Sequence, residues 1–278
     1  MLITRIITAV VLLVILLAVL FGGYYPAFVV VILAFLMAAL TEAFQLFGRT
    51  RAQAAVVAAF WTAAFAFAFL FKENHPATLK IWFGLATLIW LLRFVPSLAT
   101  GLPPMDGMRN TLLGTLYAVS ILACFAAIVM FFQVSAIYLL SVMALVWIAD
   151  VFAYFSGKAL GKNKLAPSIS PGKSWEGAIG GGVAVLAISS LVILFGGPAL
   201  ADTFVVRLQA SLGWLPALAI LVVITAASVV GDLVESQLKR RAGVKDSSNL
   251  LPGHGGVLDR IDALIPVLPL AALIHTVL

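Results

Sequence analysis

The residues best able to do chemistry in this 278-residue chain are crowded into two polar stretches of its second half. One runs from Gly231 to Asp262, GDLVESQLKRRAGVKDSSNLLPGHGGVLDRID. Within it Asp232, Glu235, Ser236 and Lys239 stand at i, i+3, i+4 and i+7, which on a helix is a single face. Asp259 and Asp262 are again three apart and would aim two carboxylates the same way from one helical turn. Alone, that pair could serve only to complement the positive end of a helix dipole. Beside Asp246, His254 and Arg260 it reads instead as part of a hard-ligand set. Carboxylates with no Cys and few His suit Mg²⁺, which binds through one or two carboxylates, waters and substrate phosphates. Lys239, Arg240, Arg241, Lys245 and Arg260 add positive charge of the kind that neutralises a polyphosphate. The glycines around His254 let backbone amides approach an anion, although a Gly-rich turn by itself is ordinary loop punctuation.

The other stretch, Trp147 to Gly177, reads WIADVFAYFSGKALGKNKLAPSISPGKSWEG. Asp150, Tyr154 and Gly157 share a helix face there. A carboxylate at membrane depth is expensive and marks a functional site by default, the plain alternative for Asp150 being an interhelical ion pair with a Lys of the other stretch. The segment Ser170 to Gly177 predicts a turn at Pro171 and Gly172, then a helix capped by Ser174 with Glu176 in its first turn. Lys173 beside that helix start is as suited to a bound phosphate as to plain solvation. The GAIGGG that follows predicts close helix packing through Gly177 and Gly181.

The elements that must carry these groups are membrane helices. With 63% hydrophobic and 10% charged residues, the chain is far from the roughly 25% charged composition of soluble domains. Nine continuously apolar runs predict spanning helices near residues 4–21, 27–48, 53–71, 78–95, 111–132, 134–156, 177–197, 211–238 and 261–277. Barrel strands would instead alternate over about ten residues. The expected fold is therefore all-α, a single polytopic membrane domain over residues 1–278, with its first run retained as a span rather than removed as a signal peptide. The lone Cys124 excludes an internal disulfide framework and reads as a packing residue.

Alternating the loops places fourteen of the 17 Lys and Arg on one side, leaving only Lys72, Lys80 and Arg207 on the other. By the positive-inside rule the N-terminus is expected in the cytoplasm and the C-terminus outside. That rule is sufficient for Arg49, Arg51, Arg93 and Arg109. Acids contribute little to orientation, yet eight of the eleven, or nine with Glu42 at the inner end of the second run, fall on the same side. They require another reason.

From Ser236 to Asp262 the chain resembles the signature of the phosphatidate cytidylyltransferases, also called CDP-diglyceride synthetases. Every fixed position is met, by Ser236, Lys239, Arg240, Lys245, Asp246, Ser248, Leu251, Pro252, His254, Gly255, Gly256, Asp259, Arg260 and Asp262. SPGKSWEG is similar to the family's upstream SPxKTxEG, with Ser174 in place of the usual Thr. The resemblance implies formation of CDP-diacylglycerol and pyrophosphate from CTP and phosphatidate, with Mg²⁺ as cofactor, at the cytoplasmic face of a bacterial-type cell membrane. A second cation and a homodimer are compatible with it, and no nucleic-acid partner is expected. Asp246, Asp259 and Asp262 of the signature, with Asp232 just outside it and least supported by it, are expected to supply metal ligands, Asp259 foremost, and Lys239, Arg240, Lys245, Arg260, Lys173 and Ser236 to meet substrate phosphates. His254 is expected to bind a phosphate or order its turn, with Asp150 a further candidate. Asp259, Asp246, Lys239, Lys245, His254 and Arg260 form the expected catalytic group.

Two rivals are weaker. A CDP-alcohol phosphotransferase needs a DG-led row of acids on one helix, and Asp106-Gly107 is followed by none. A transporter would repeat its polar block in both halves, and the first half holds no copy of the Asp232 to Asp262 block.

Overall fold

The computed structural model describes residues 2–70 and 76–278. Lys72, and residue 71 at the end of the third apolar run, lie outside the described residues. The chain is built from helices, in the order α1 (Leu2–Phe21), α2 (Tyr25–Leu46), α3 (Arg51–Phe65), α4 (Pro76–Ile89), α5 (Val95–Thr100), α6 (Gly107–Val134) and α7 (Ala136–Leu160). A short antiparallel hairpin follows, β1 (Lys164–Ala166) and β2 (Ser170–Ser174). Then come α8 (Trp175–Phe195), α9 (Phe204–Leu212), α10 (Trp214–Arg241), α11 (Leu258–Ile261) and α12 (Leu264–His275).

Within the described residues the predicted apolar runs are mostly helical. Among the described residues seven helices are long and apolar enough to cross a membrane, while Ile6–Phe21 and Leu264–His275 are apolar but shorter. At about 1.5 Å per residue, α12 extends only some 18 Å. The ninth run is not the continuous helix expected over 261–277, because the chain turns at Asp262 and Ala263 between α11 and α12. The third and fourth runs also carry one π-helical turn each, Ala66–Leu70 and Trp90–Phe94. Such turns insert an extra residue per turn and re-aim the chain beyond them.

The core gathers on α6, whose spanning window is 67% buried against 17% for α3 and α8. Its Tyr117, Ile121, Phe125 and Phe131 are enclosed by α2, α7 and α12. The α12 helix, with Ile265, Val267 and Leu268 buried, packs on α6, α4 and α10. Burying a large apolar side chain is worth about 1.5–3 kcal/mol relative to water. In a bilayer that gain is mostly forgone, so close packing matters more. The α7–α8 pair shows it: a Cβ on Gly177 would stand 2.8 Å from the Ala153 carbonyl oxygen, and one on Gly181 2.5 Å from that of Ala149. The predicted glycine contact is thus present, and it brings the C-terminal half of α7 against the start of α8.

One local expectation is corrected. Pro171 and Gly172 do not form a turn; they lie within β2, and the reversal falls at residues 167–169. A two-stranded hairpin is all edge, where Pro costs no ladder bond. The cap itself is as expected, the Ser174 hydroxyl accepting from Gly177 N–H at 3.2 Å with Glu176 in the first turn of α8.

Candidate active site

The two polar stretches, eighty residues apart in places along the chain, meet at one end of the bundle. The α7 C-terminal half supplies Asp150 and Tyr154, the hairpin Lys173, α10 Asp232, and the α11 region Asp259, Arg260 and Asp262. Together they line a cavity of about 570 Å³. Of the α10 residues, Asp232 reaches the cavity lining, while Glu235 and Ser236 are buried along with Leu233, Val234 and Leu238.

The charges in this region are arranged unevenly. Lys173 forms an ion pair with Asp232, whose Oδ1 also accepts from the Ser236 hydroxyl at 3.3 Å. Among the described residues Asp150 and Asp262 make no ion pair. Asp262 Oδ1 accepts only from the Ala263 N–H, at 2.9 Å. Two carboxylates without an ion-pair partner thus stand beside a third that has one, in a lining where four Asp meet Lys158, Lys173 and Arg260.

Lys239 does not line the cavity. Its ammonium is held between Glu235, with which it pairs at i, i+4, and Asp259 Oδ1 at 2.6 Å. Asp259 is the best-satisfied carboxylate of the site, its Oδ2 accepting from Ser247 N–H, the Ser247 hydroxyl and Gly256 N–H, each at 2.8 Å. Burial disfavours its charge, but the bonds from Lys239, Gly256 and Ser247 outweigh that and hold its carboxyl below the ordinary range. Oδ2 takes three donors from the loop and Oδ1 takes Lys239 alone, so Oδ1 is the oxygen with acceptor capacity left for a ligand.

The loop from Ala242 to Val257 owes its shape to its glycines. Gly255 sits at φ +81°, where a Cβ would also stand 2.6 Å from Asp259 Oδ2. At Gly256 a Cβ would run into the Ser247 hydroxyl and approach Glu42 within 2.5 Å. Arg260 Nε donates to the His254 carbonyl at 3.0 Å, which fixes the guanidinium relative to the turn. His254 Nδ1 is buried with no hydrogen-bond partner.

Not every expected residue joins the main cavity. Lys245 and Asp246 are exposed and line a neighbouring cavity of about 500 Å³ with His254 and Gly255, so Asp246 stands apart from Asp232 and Asp262. Arg260 borders both cavities. Arg240 instead ties the hairpin to α10, its Nε and Nη1 lying 3.4 Å from the carbonyls of Ile169 and Val244. Arg241 donates to the Pro103 carbonyl at 3.1 Å and stacks over Phe47. Ser236 and Lys239 serve carboxylates, and no phosphate-facing position is visible for either. The expected roles of Lys239, Arg240 and Ser236 as direct phosphate ligands therefore meet a competing explanation in protein–protein bonds.

A third opening was not foreseen. Arg260 and His254 also stand at the edge of an apolar cleft of about 480 Å³ between α1, α2, α6 and α7, with Leu16, Ile32, Phe125 and Met143 among its walls. Two buried acids also exceeded what spacing had assigned. Spacing marks Glu235 only as one of several polar residues on its face, and Glu42 only by its side of the membrane; both are almost wholly enclosed. An acid inside an apolar run is the one sequence signal that marks Glu42.

Among the described residues no three carboxylate, imidazole or thiol groups are already gathered as a metal cage. The donor set is all oxygen, and the unpaired Asp150 and Asp262 beside Asp232 suit a cation that retains waters and shares substrate phosphates, as Mg²⁺ does.

Comparison with known proteins agrees with this chemistry. The model of the cytidylyltransferase family matches residues 3–278. A phosphatidate cytidylyltransferase of Haemophilus influenzae is 44% identical over 211 residues, 71% of this chain and 68% of that protein. One of Pseudomonas aeruginosa is 53% identical over 134 residues, 48% of this chain and 45% of its own length. One of Bacillus subtilis is 40% identical over 137 residues, 49% and 46% of the two chains. The matched part thus spans two thirds of the first relative and under half of the other two. With the family model matched along almost its whole length, the chain belongs to the cytidylyltransferase family.

Proposed function

We propose that this protein transfers the cytidylyl group of CTP to phosphatidate, giving CDP-diacylglycerol and pyrophosphate. One observation carries the reading beyond family membership: Arg260 stands at the junction of an acid-lined polar cavity and an apolar cleft. A substrate pair consisting of a water-soluble polyphosphate and a phosphate on two acyl chains calls for such a junction. The nucleotide belongs to the polar side, the acyl chains to the cleft, and the lipid phosphate to Arg260, whose planar fork suits phosphate oxygens.

A phosphate oxygen of phosphatidate attacks the α-phosphorus of CTP in line, the bond to the β-phosphate breaks, and pyrophosphate leaves. The nucleophile is already an anion, so no strong general base is needed. The task of the protein is to bring two anions together and neutralise the charge that grows on the leaving group. Arg260 and Lys173 supply fixed positive charge at the cavity wall. Lys239 keeps Asp259 ionised and oriented. Asp232 and Asp262, with Asp259 Oδ1 and Asp150 as neighbours, would hold the divalent cation. When bound, that ion supplies Lewis-acid stabilisation of the pyrophosphoryl oxygens. Lys245, beside the glycine turn, is assigned to the outer phosphates of the nucleotide, and Asp246 beside it to a cation that those phosphates carry.

In this reading the chain is one polytopic domain with nine crossings, N-terminus inside, and the site facing the cytoplasm, where CTP is. The bias of fourteen of 17 basic residues to one side supports that orientation. The test is reconstitution of purified protein with phosphatidate, CTP and Mg²⁺. CDP-diacylglycerol is expected only when all three are present, and product without phosphatidate or without divalent metal would contradict the reading.

A further inference from the structure

Glu42 lies in the last two turns of α2, some two hundred residues before the loop it touches, and is only 3% exposed. All four polar contacts of its carboxylate come from that loop. Oε1 accepts from the Ser248 hydroxyl at 2.6 Å and the Val257 N–H at 3.1 Å. Oε2 accepts from the Leu258 N–H at 2.7 Å and faces the Ser247 hydroxyl at 3.1 Å. We propose that Glu42 is a positioning residue for nucleotidyl transfer, clamping both ends of the 247–258 loop and so setting where Asp259 and Arg260 stand. The inference rests on the reading of the adjoining cavity as the transfer site.

Three features argue for it. First, α11 is only four residues long, too short to hold its own direction, and its first N–H groups are orphans that need acceptors. Glu42 takes those of Val257 and Leu258, and Asp259 and Arg260 follow immediately. Second, the Ser247 hydroxyl lies between Glu42 and Asp259, 3.1 and 2.8 Å away, with one proton for two carboxylates. The position of Asp259 is therefore coupled to that of Glu42. Third, Gly256 is packed so closely on both Ser247 and Glu42 that no Cβ fits. The clamp leaves no slack through which the loop could settle elsewhere.

Glu42→Gln is the discriminating variant, because it keeps shape and volume but turns an NH₂ toward two of the four donors. Wild type and variant are compared in detergent at full length by CTP titration, Mg²⁺ titration and amide hydrogen exchange. A positioning role predicts a roughly 10- to 100-fold loss in kcat/KM, the range seen when groups behind a metal site are altered. It also predicts a several-fold rise in the Mg²⁺ needed for half-maximal rate, and faster exchange at residues 256–260 with the spans unchanged. Kinetic constants within twofold of wild type would overturn the proposal. So would a loss of kcat matched by a smaller folded fraction at unchanged KM and Mg²⁺ dependence, the mark of a purely structural residue. If Glu42→Gln does not fold, Ser248→Ala removes one bond to the same carboxylate; a twofold or larger rise in half-saturating Mg²⁺ supports the clamp, and none refutes it. Should the wild type make no product, the reaction assignment fails, while exchange at 256–260 still decides whether Glu42 holds the loop.

Discussion

Replacing Lys239 by Met tests the charge arrangement of the site most severely. Its side chain is 12% exposed and sits between those of Glu235 at 0% and Asp259 at 5%. Removing one partner of a buried ion pair costs about 3–5 kcal/mol, mostly because the remaining charge stays buried and uncompensated. Asp259 retains three donors on Oδ2, so Glu235 bears most of the loss. For a chain of this size, 1 kcal/mol lowers the melting temperature by roughly 2–4 °C, giving an expected drop of about 6–20 °C. The double variant Glu235→Leu/Lys239→Met removes the orphaned charge as well and is expected to recover more than half of that drop, since apolar replacements of buried pairs are often neutral. It is not expected to recover activity, because Asp259 still lacks its cation. Thermal unfolding in detergent followed by tryptophan fluorescence reads the first effect, and CDP-diacylglycerol formation the second. A Lys239→Met melting point within about 2 °C of wild type, or a double variant no more stable than the single, would refute the reasoning.

Three further outcomes follow from the same geometry. Gly256→Ala drives a methyl group into Ser247 and Glu42; overpacking of this kind costs about 1–3 kcal/mol, and turnover is expected to fall at least tenfold, read by the CTP assay. Arg260→Ala removes charge-assisted bonds worth about 1.5–3 kcal/mol, so kcat/KM for phosphatidate is expected to drop roughly 10- to 100-fold, with Arg260→Lys intermediate. Asp262→Asn takes away an unpaired carboxylate of the cavity, and the Mg²⁺ concentration at half-maximal rate is expected to rise at least about tenfold, whereas an unchanged Mg²⁺ titration would remove Asp262 from the cation site.

Hydropathy made the helices legible because each span must satisfy its own backbone and so announces itself locally. The glycine contact of α8 on α7 was readable for a similar reason, small residues being required where backbones approach. The break before α12 was harder to see, since an apolar run looks the same whether or not the chain turns within it. Pro171 and Gly172 misled because breakers are permitted in an edge hairpin as well as in a turn. At the site, spacing placed Asp232, Glu235, Ser236 and Lys239 on one face but could not show that Lys239 is spent on Glu235 and Asp259. The part of Glu42 in the loop was invisible for the same reason: its partners are more than two hundred residues away, and only folding brings them together.

The most direct measurement of the central claim follows the phosphorus atoms of CTP. Purified protein with phosphatidate and Mg²⁺ is supplied in parallel with α-labelled and γ-labelled CTP. In-line transfer at the α-phosphorus predicts that the α-label enters the organic phase as CDP-diacylglycerol, while the γ-label is released in equal amount as pyrophosphate. Label from the γ-position in the lipid, or no lipid label from a folded sample, would contradict it.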